Sequence, residues 1–185
     1  MGLFLKPRIS EREAAAIFLQ SLARDLRQSW PDLAARLRSA FPSHPAVVDN
    51  ESAAQREFSL AVVATHLEEL HAVLGPAKAE RVGRHVLDIL ADPHLGPDSR
   101  ATVEAYRRAW RAAGETGRPP LEAVALRLYE VLGATFSGKG RKNRPEAPGD
   151  AGAVADLLRR FGVSWWRFLL QKYKIPDAYE PPERR

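Results

Sequence analysis

The longest helical pattern in the chain runs over residues 51–74. Its apolar side chains recur at steps of three and four residues, so they form one stripe along a helix: Leu60, Val63, Leu67, Leu70 and Leu74. The first half of the segment also has apolar residues outside that stripe, which is typical of a helix covered by several neighbours. Gly75 and Pro76 end the pattern. We predict that this segment is the central helix of an all-α domain.

Similar patterns predict the other helices of an all-α, multi-helix bundle. Ser10 and Glu13 have the spacing of a capping box, and apolar residues follow at four-residue steps. The segment Ser29–Asp32 indicates a new helix, because proline is tolerated in the first helical turn. Further helices are predicted over residues 77–91, 99–113 and 121–132. Residues 1–134 therefore form a body of about six helices, with hardly a strand signal.

The composition changes after this body. Residues 135–150 are rich in glycine, proline and charge and have few large apolar side chains, which predicts a flexible basic linker. Residues 151–185 then predict a C-terminal helical hairpin, with helices on either side of Gly162, followed by an extended tail from Ile175.

The composition as a whole excludes several classes of protein. The 185 residues include no cysteine, which removes disulfides, thiolate metal sites and cysteine nucleophiles. No apolar run approaches the roughly 20 residues that span a bilayer, so we expect no transmembrane segment. The N-terminal residues also lack the order of charge and apolar character found in a secretory signal. We therefore expect a cytoplasmic protein.

The positive charge lies in the C-terminal part of the chain. Residues 1–134 contain 17 basic and 17 acidic side chains, whereas residues 135–185 contain 11 basic and 6 acidic ones. The net charge of +5 therefore comes from the linker and the hairpin. Such an asymmetry indicates contact with an anionic partner or surface.

No catalytic motif in the sequence has the context that it needs. Residues 133–140 match much of a phosphate-binding loop, but Gly140 replaces the hydroxyl residue that would hold Mg²⁺. A predicted helix precedes this loop, where the motif requires a strand. No serine lies in a nucleophile-elbow context either. We therefore predict a non-enzymatic protein that needs no cofactor, and no signature of a known family is recognised.

A metal site is the second alternative. The candidate ligands are His66, Glu69 and His71, because Glu and His at helical i,i+3 spacing occur in carboxylate-bridged metal bundles. Few other carboxylates are predicted to face inward, however, so we favour a polar helix surface over a metal site. In that interpretation His71 is a partly buried core residue and His85 faces water.

The C-terminal hairpin is the leading candidate for a binding function. We predict that it contacts a protein partner through aromatic and basic side chains, which are common at the energetic centres of interfaces. The predicted partner-binding residues of the hairpin are Arg159, Arg160, Trp165, Trp166, Arg167 and Phe168. Those of the linker are Lys139, Arg141, Lys142 and Arg144.

The first alternative is a DNA- or RNA-binding regulator that uses the same residues. A helix, a glycine-containing turn and a second helix that begins at Ser164 have the outline of a helix-turn-helix motif. Trp165 and Trp166 stand where such motifs usually carry short polar base-reading side chains. We therefore rank docking on protein above binding to nucleic acid.

Overall fold

The fold is all-α in the computed structural model, which describes residues 6–40, 51–96, 98–137, 148–161 and 164–176. The helices are α1 (Glu11–Ala40), α2 (Glu51–Leu74), α3 (Pro76–Leu90), α4 (Ser99–Thr116), α5 (Pro120–Ser137), α6 (Pro148–Arg160) and α7 (Ser164–Lys172). A single 3₁₀ turn, Pro93–Leu95, lies between α3 and α4. Within the described ranges the only extended pairing is an isolated bridge between Arg8 and Lys174. The predicted all-α bundle is confirmed.

Helix α1 begins at the predicted capping box. The Glu13 amide donates to Ser10 Oγ at 3.1 Å, and the Ser10 amide donates back to Glu13 Oε2 at 2.7 Å. Two otherwise unpaired backbone donors are satisfied in this way. These hydrogen bonds also hold the pKa of the exposed Glu13 carboxyl below its ordinary value.

The predicted helix start at Ser29–Asp32 is wrong, because α1 continues without a break through Pro31. Proline inside a helix costs roughly 3 kcal/mol, since it removes one backbone hydrogen bond and crowds the preceding turn. Here Pro31 and Arg27, whose carbonyl loses its partner, both lie on the exposed side of α1. Trp30 and Leu33 are buried on the opposite side. Apolar side chains of α1 are buried both before and after Pro31, and their packing keeps the helix continuous.

Helix α2 is the central helix, as predicted. Residues 61–67 are buried at seven consecutive positions, so every side of the helix is covered there. Its neighbours are α1, α3, α4, α5 and α7. Helices α2 and α3 form an antiparallel pair across Gly75, whose φ of 76° suits glycine.

Helices α6 and α7, which were predicted to form a hairpin, each pack chiefly against the rest of the bundle and not against each other. Helix α6 lies against α5 and α1, and α7 lies against α2. The apolar side chains that the hairpin buries are Val154, Ala155, Leu157, Leu158, Trp166 and Leu169. The described residues that follow α7 are also fixed, because the Ile9 amide donates to the Lys174 carbonyl at 3.0 Å. Lys78 Nζ likewise donates to the Ile175 carbonyl at 2.9 Å.

Both ends of the predicted linker, residues 135–150, are helical. Residues 135–137 belong to α5, and residues 148–150 belong to α6. The remainder, residues 138–147, lies outside the described part of the chain and includes Lys139, Arg141, Lys142 and Arg144.

An ionic network joins α2 to α4. Arg107 Nε lies 2.6 Å from Glu68 Oε1, and Arg111 Nη2 lies 2.8 Å from the same oxygen. Burial acts to raise the pKa of Glu68, but hydrogen bonds and charge from Arg111 and Arg107 together hold it below its ordinary value. The carboxylate therefore stays ionised between its two arginines and ties the two helices together.

We expect removal of the Glu68 carboxylate to destabilise the bundle. Glu68→Ala leaves the largely buried Arg107 guanidinium without this acceptor, which costs roughly 2–3 kcal/mol of unfolding free energy. The matched control is Glu80→Ala, which breaks the solvent-exposed pair with Arg84 and costs less than about 0.5 kcal/mol. Urea unfolding of the two variants measures the difference, and equal losses would contradict the structural role of the network.

Candidate functional site

Trp166 is a core residue of the bundle. Its side chain is 0% exposed, and its ring stacks on Phe18 of α1 with centroids 4.6 Å apart and planes at 27°. Trp166 therefore has no surface with which to contact a partner in this structure. Trp166 cannot read a nucleic-acid base either, because its ring faces the body and not the solvent.

Trp165 and His66 complete a cluster around Phe18. Trp165 is half-buried and meets the Phe18 ring edge-on at 5.0 Å. The His66 ring of α2 meets Phe18 edge-on at 5.3 Å. We call Phe18, His66, Trp165 and Trp166 the aromatic cluster, and it joins α1, α2 and α7 at one place. The sequence pattern predicts the two tryptophans as binding residues, but it does not indicate their contact with Phe18.

The hairpin also has an exposed side, which carries most of the remaining predicted residues. Phe168 is 52% exposed, and the Lys172 ammonium lies 4.3 Å from the centre of its ring, within cation–π distance. Arg160 and Arg167 are exposed as well. We call Arg160, Arg167, Phe168 and Lys172 the outer face of the hairpin.

The outer face is positively charged. Arg159, which is also exposed, forms an ion pair with Asp156 one helical turn earlier. Among the described residues no carboxylate pairs with Arg160, Arg167 or Lys172. One of these exposed cations, Lys172, lies over the exposed Phe168 ring, and the positive charge of the outer face suits an anionic or acidic partner.

A cavity of about 490 Å³ lies between the hairpin and α1. Apolar side chains form part of its wall: Ile17 of α1, Trp165 of α7, and Phe161, which lies just after α6. His66 lies at the cavity wall, and Arg160 and Lys172 of the outer face also line it. The cavity thus combines an aromatic wall, a buried imidazole and basic side chains.

His66 is held neutral by its surroundings. The side chain is 0% exposed, and burial lowers its pKa from 6.5 to about 4. The Phe161 backbone offsets part of that effect, but it does not reach either ring nitrogen with the distance and angle of a hydrogen bond. Neither nitrogen has a hydrogen-bond partner among the described residues. A buried polar group in this state is costly for the fold.

The three metal candidates do not form a common site in the described part of the chain. His66 is buried, Glu69 is half-buried and His71 is exposed on the same helix. Across residues 6–40, 51–96, 98–137, 148–161 and 164–176, no three His, Asp or Glu side chains come together in a group that could hold a metal ion.

The prediction that His71 is a partly buried core residue is wrong. His71 is exposed although Leu67 and Leu70 are buried, because one step along a helix turns the side chain by about 100°. His85, which was expected to face water, is half-buried.

Comparisons with models of protein families, with curated proteins and with solved structures find no match for this chain. In the described part of the chain, no helix is both long and apolar enough to cross a membrane.

The buried imidazole makes a specific contribution to the pH dependence of stability. His66 has a pKa of about 4 in the folded protein and 6.5 when unfolded, so the unfolded state binds more protons between these values. The contribution of the His66 imidazole to the unfolding free energy is fully present above pH 6.5 and is lost as the pH falls towards 4. The full loss is about 3 kcal/mol.

His66→Gln removes this titration, so its unfolding free energy falls less steeply between pH 6.5 and 4 than that of the unchanged protein. His71→Gln, which alters an exposed histidine of the same helix, keeps the original slope. Chemical unfolding across this pH range measures both variants. If His66→Gln keeps the slope of the unchanged protein, another group is responsible for the acid sensitivity.

Proposed function

We propose that the protein is a non-enzymatic binding or adaptor protein whose outer face contacts an acidic protein partner. The observation that carries the proposal is Phe168, a large aromatic side chain that is half-exposed and has the Lys172 ammonium over its ring. The other aromatic residues of α7, Trp165 and Trp166, lie against the core. They anchor the helix, so its folding does not require an exposed ring at Phe168.

The chemistry of the outer face supports this proposal. Aromatic and arginine side chains are enriched at the energetic centres of protein interfaces, and Phe168 with Arg160 and Arg167 provides both kinds. The positive charge would attract an acidic partner and speed its association. Salt would weaken this attraction. Among the described residues of α6 and α7, the proposed binding residues are those with exposed side chains, and Trp166 supports them from within the core.

Binding to nucleic acid is the second candidate. Phe168 offers a ring on which an unpaired base can stack, and the neighbouring cations offer contacts to phosphates. The exposed positive charge is the observation that favours it. The outer face carries no short polar side chains of the kind that read base edges, so contact with the backbone would predominate.

Substitutions on the outer face test the protein-partner proposal. Phe168→Ala and Arg167→Glu each remove an exposed contact and are expected to lower partner binding at least tenfold, which corresponds to about 1.4 kcal/mol. The matched controls are Leu95→Ala, an equally exposed apolar residue elsewhere, and Arg108→Glu, an exposed cation on α4.

Quantitative mass spectrometry after affinity capture from native extract, with and without nuclease, provides the measurement. The expected result is a protein that both outer-face variants lose, both controls retain and nuclease leaves bound. If every captured protein is released by nuclease, and the purified chain binds single-stranded DNA less tightly at higher salt, the second candidate replaces the first. If the variants and controls capture the same proteins, the outer face is not the binding site.

A further inference from the structure

A second cavity lies between α1, α2 and α3, and none of the described residues of α6 or α7 lines it. Its volume of about 730 Å³ falls within the range of roughly 300–1,000 Å³ that is usual for ligand pockets. We call it the leucine cavity, because leucines make up most of its apolar lining. They are Leu19, Leu22, Leu26, Leu60, Leu90 and Leu95. Leu95 is 50% exposed, so apolar surface at this cavity remains open to the solvent.

The course of the three helices decides which residues lie at each end of the leucine cavity. Arg81 of α3 pairs with Glu11 of α1 at 2.8 Å. Further along the same two helices, Ile89 and Leu19 both line the cavity, so α1 and α3 are parallel. Because α3 is antiparallel to α2, α1 is antiparallel to α2 as well.

The leucine cavity therefore has a positively charged end and an apolar end. Arg27 lies late in the α1 part of the lining and Arg56 lies early in the α2 part, so antiparallel packing places both cations at the same end. The half-buried Arg56 also donates from Nη2 to Ser99 Oγ at 3.1 Å. At the opposite end the lining is apolar and includes Leu19 and Val63.

Arg27 is the cation that a bound molecule can reach most readily. Its side chain is exposed, and no carboxylate pairs with it in the part of the chain that the structure describes. Among the described residues the cavity is lined by one carboxylate, Asp92, which is exposed and accepts a hydrogen bond from the His94 amide at 2.9 Å. The two arginines outweigh this carboxylate, so the local field favours an anion.

We propose that the leucine cavity binds a fatty acid. The acyl chain lies along the leucines of the three helices, and the carboxylate contacts Arg27, while Arg56 adds positive charge at the same end. The lining of α1 from Ala16 to Arg27 extends over about 16 Å, which suits an acyl chain of medium length. This inference goes beyond the proposed function, because it concerns a small ligand on a part of the bundle that the outer face does not include.

The probe for this site is laurate, used at concentrations below those at which it forms micelles. Hexanoate carries the same carboxylate on a shorter chain, and dodecyltrimethylammonium carries a cation on a chain of the same length. Titration calorimetry of the full chain measures the three affinities. Isoleucine methyl signals in NMR spectra locate the bound molecule, because Ile89 lines the leucine cavity and Ile17 lines the cavity between the hairpin and α1.

The expected result is that laurate shifts the Ile89 signal and leaves the Ile17 signal unchanged. Laurate binds at least about a hundredfold more tightly than hexanoate, because each additional buried methylene adds to the hydrophobic gain. It also binds more tightly than dodecyltrimethylammonium, whose charge has the wrong sign for Arg27.

Arg27→Gln weakens laurate binding by roughly three- to tenfold, because it removes a charge-assisted contact. The matched control is Arg36→Gln, which removes an exposed cation about 13 Å further along α1. That separation exceeds the Debye length at physiological salt, so the control changes binding less than about twofold.

Ala23→Trp places a large side chain in the leucine cavity from an exposed position of α1 and is expected to abolish laurate binding. Circular dichroism confirms the fold of each variant, and the exposed Arg27 and Arg36 variants carry the test if Ala23→Trp fails to fold. The proposal is overturned if millimolar laurate leaves the Ile89 signal unchanged or if dodecyltrimethylammonium binds as tightly as laurate. It is also overturned if Arg36→Gln weakens binding as much as Arg27→Gln.

The tests of the fatty-acid site and of the outer face fail independently. Phe168→Ala reduces partner binding under the proposed function, but it leaves laurate binding unchanged, since Phe168 does not line the leucine cavity. Ala23→Trp has the opposite pattern, since Ala23 lines the leucine cavity and is not part of the outer face.

Discussion

The stacking of Trp166 on Phe18 is the contact that holds α7 on the rest of the bundle. It joins α7 to α1, and the edge-on contact of Phe18 with His66 extends it to the central helix α2. Buried aromatic side chains provide large apolar area and a preferred ring geometry, so such a contact fixes orientation as well as adding stability. Without it, α7 would lose its largest buried side chain, and the cavity would lose one wall.

This contact also decides which surface remains for function. Because Trp166 faces the body, Phe168 and Lys172 lie on the other side of α7 and are exposed, as is Arg167. The same docking buries His66, holds its imidazole neutral and creates the space beside it. Stability, the basic outer face and the cavity are therefore consequences of one packing arrangement.

The all-α fold, the capping box and the central helix could be predicted because each depends on local spacing. Ser10 and Glu13 are three residues apart, and the stripe of α2 follows the period of the helix. The continuity of α1 through Pro31 could not be predicted in this way. The free-energy cost of a proline inside a helix follows from local chemistry. The burial of Trp30 and Leu33 on the opposite side of α1 depends on tertiary packing.

The candidate site was predicted less completely than the fold. The basic and aromatic character of the hairpin was evident from composition, but the sequence does not say which tryptophan faces the core. That depends on Phe18, which is separated from Trp166 by most of the chain. His66 was considered as a metal ligand because of its spacing to Glu69, whereas its burial results from α1 and α7 packing over it. Long-range packing of this kind leaves no local pattern.

Comparing Trp166→Ala with Phe168→Ala by urea unfolding is the most direct test of the claim that the hairpin is part of the core. The buried Trp166 is expected to cost about 3–5 kcal/mol of unfolding free energy when truncated. The half-exposed Phe168, two residues away on the same helix, is expected to cost less than about 1 kcal/mol. If both substitutions leave the unfolding free energy nearly unchanged, α7 is not anchored through Trp166, and the cavity and outer face described here do not exist in solution.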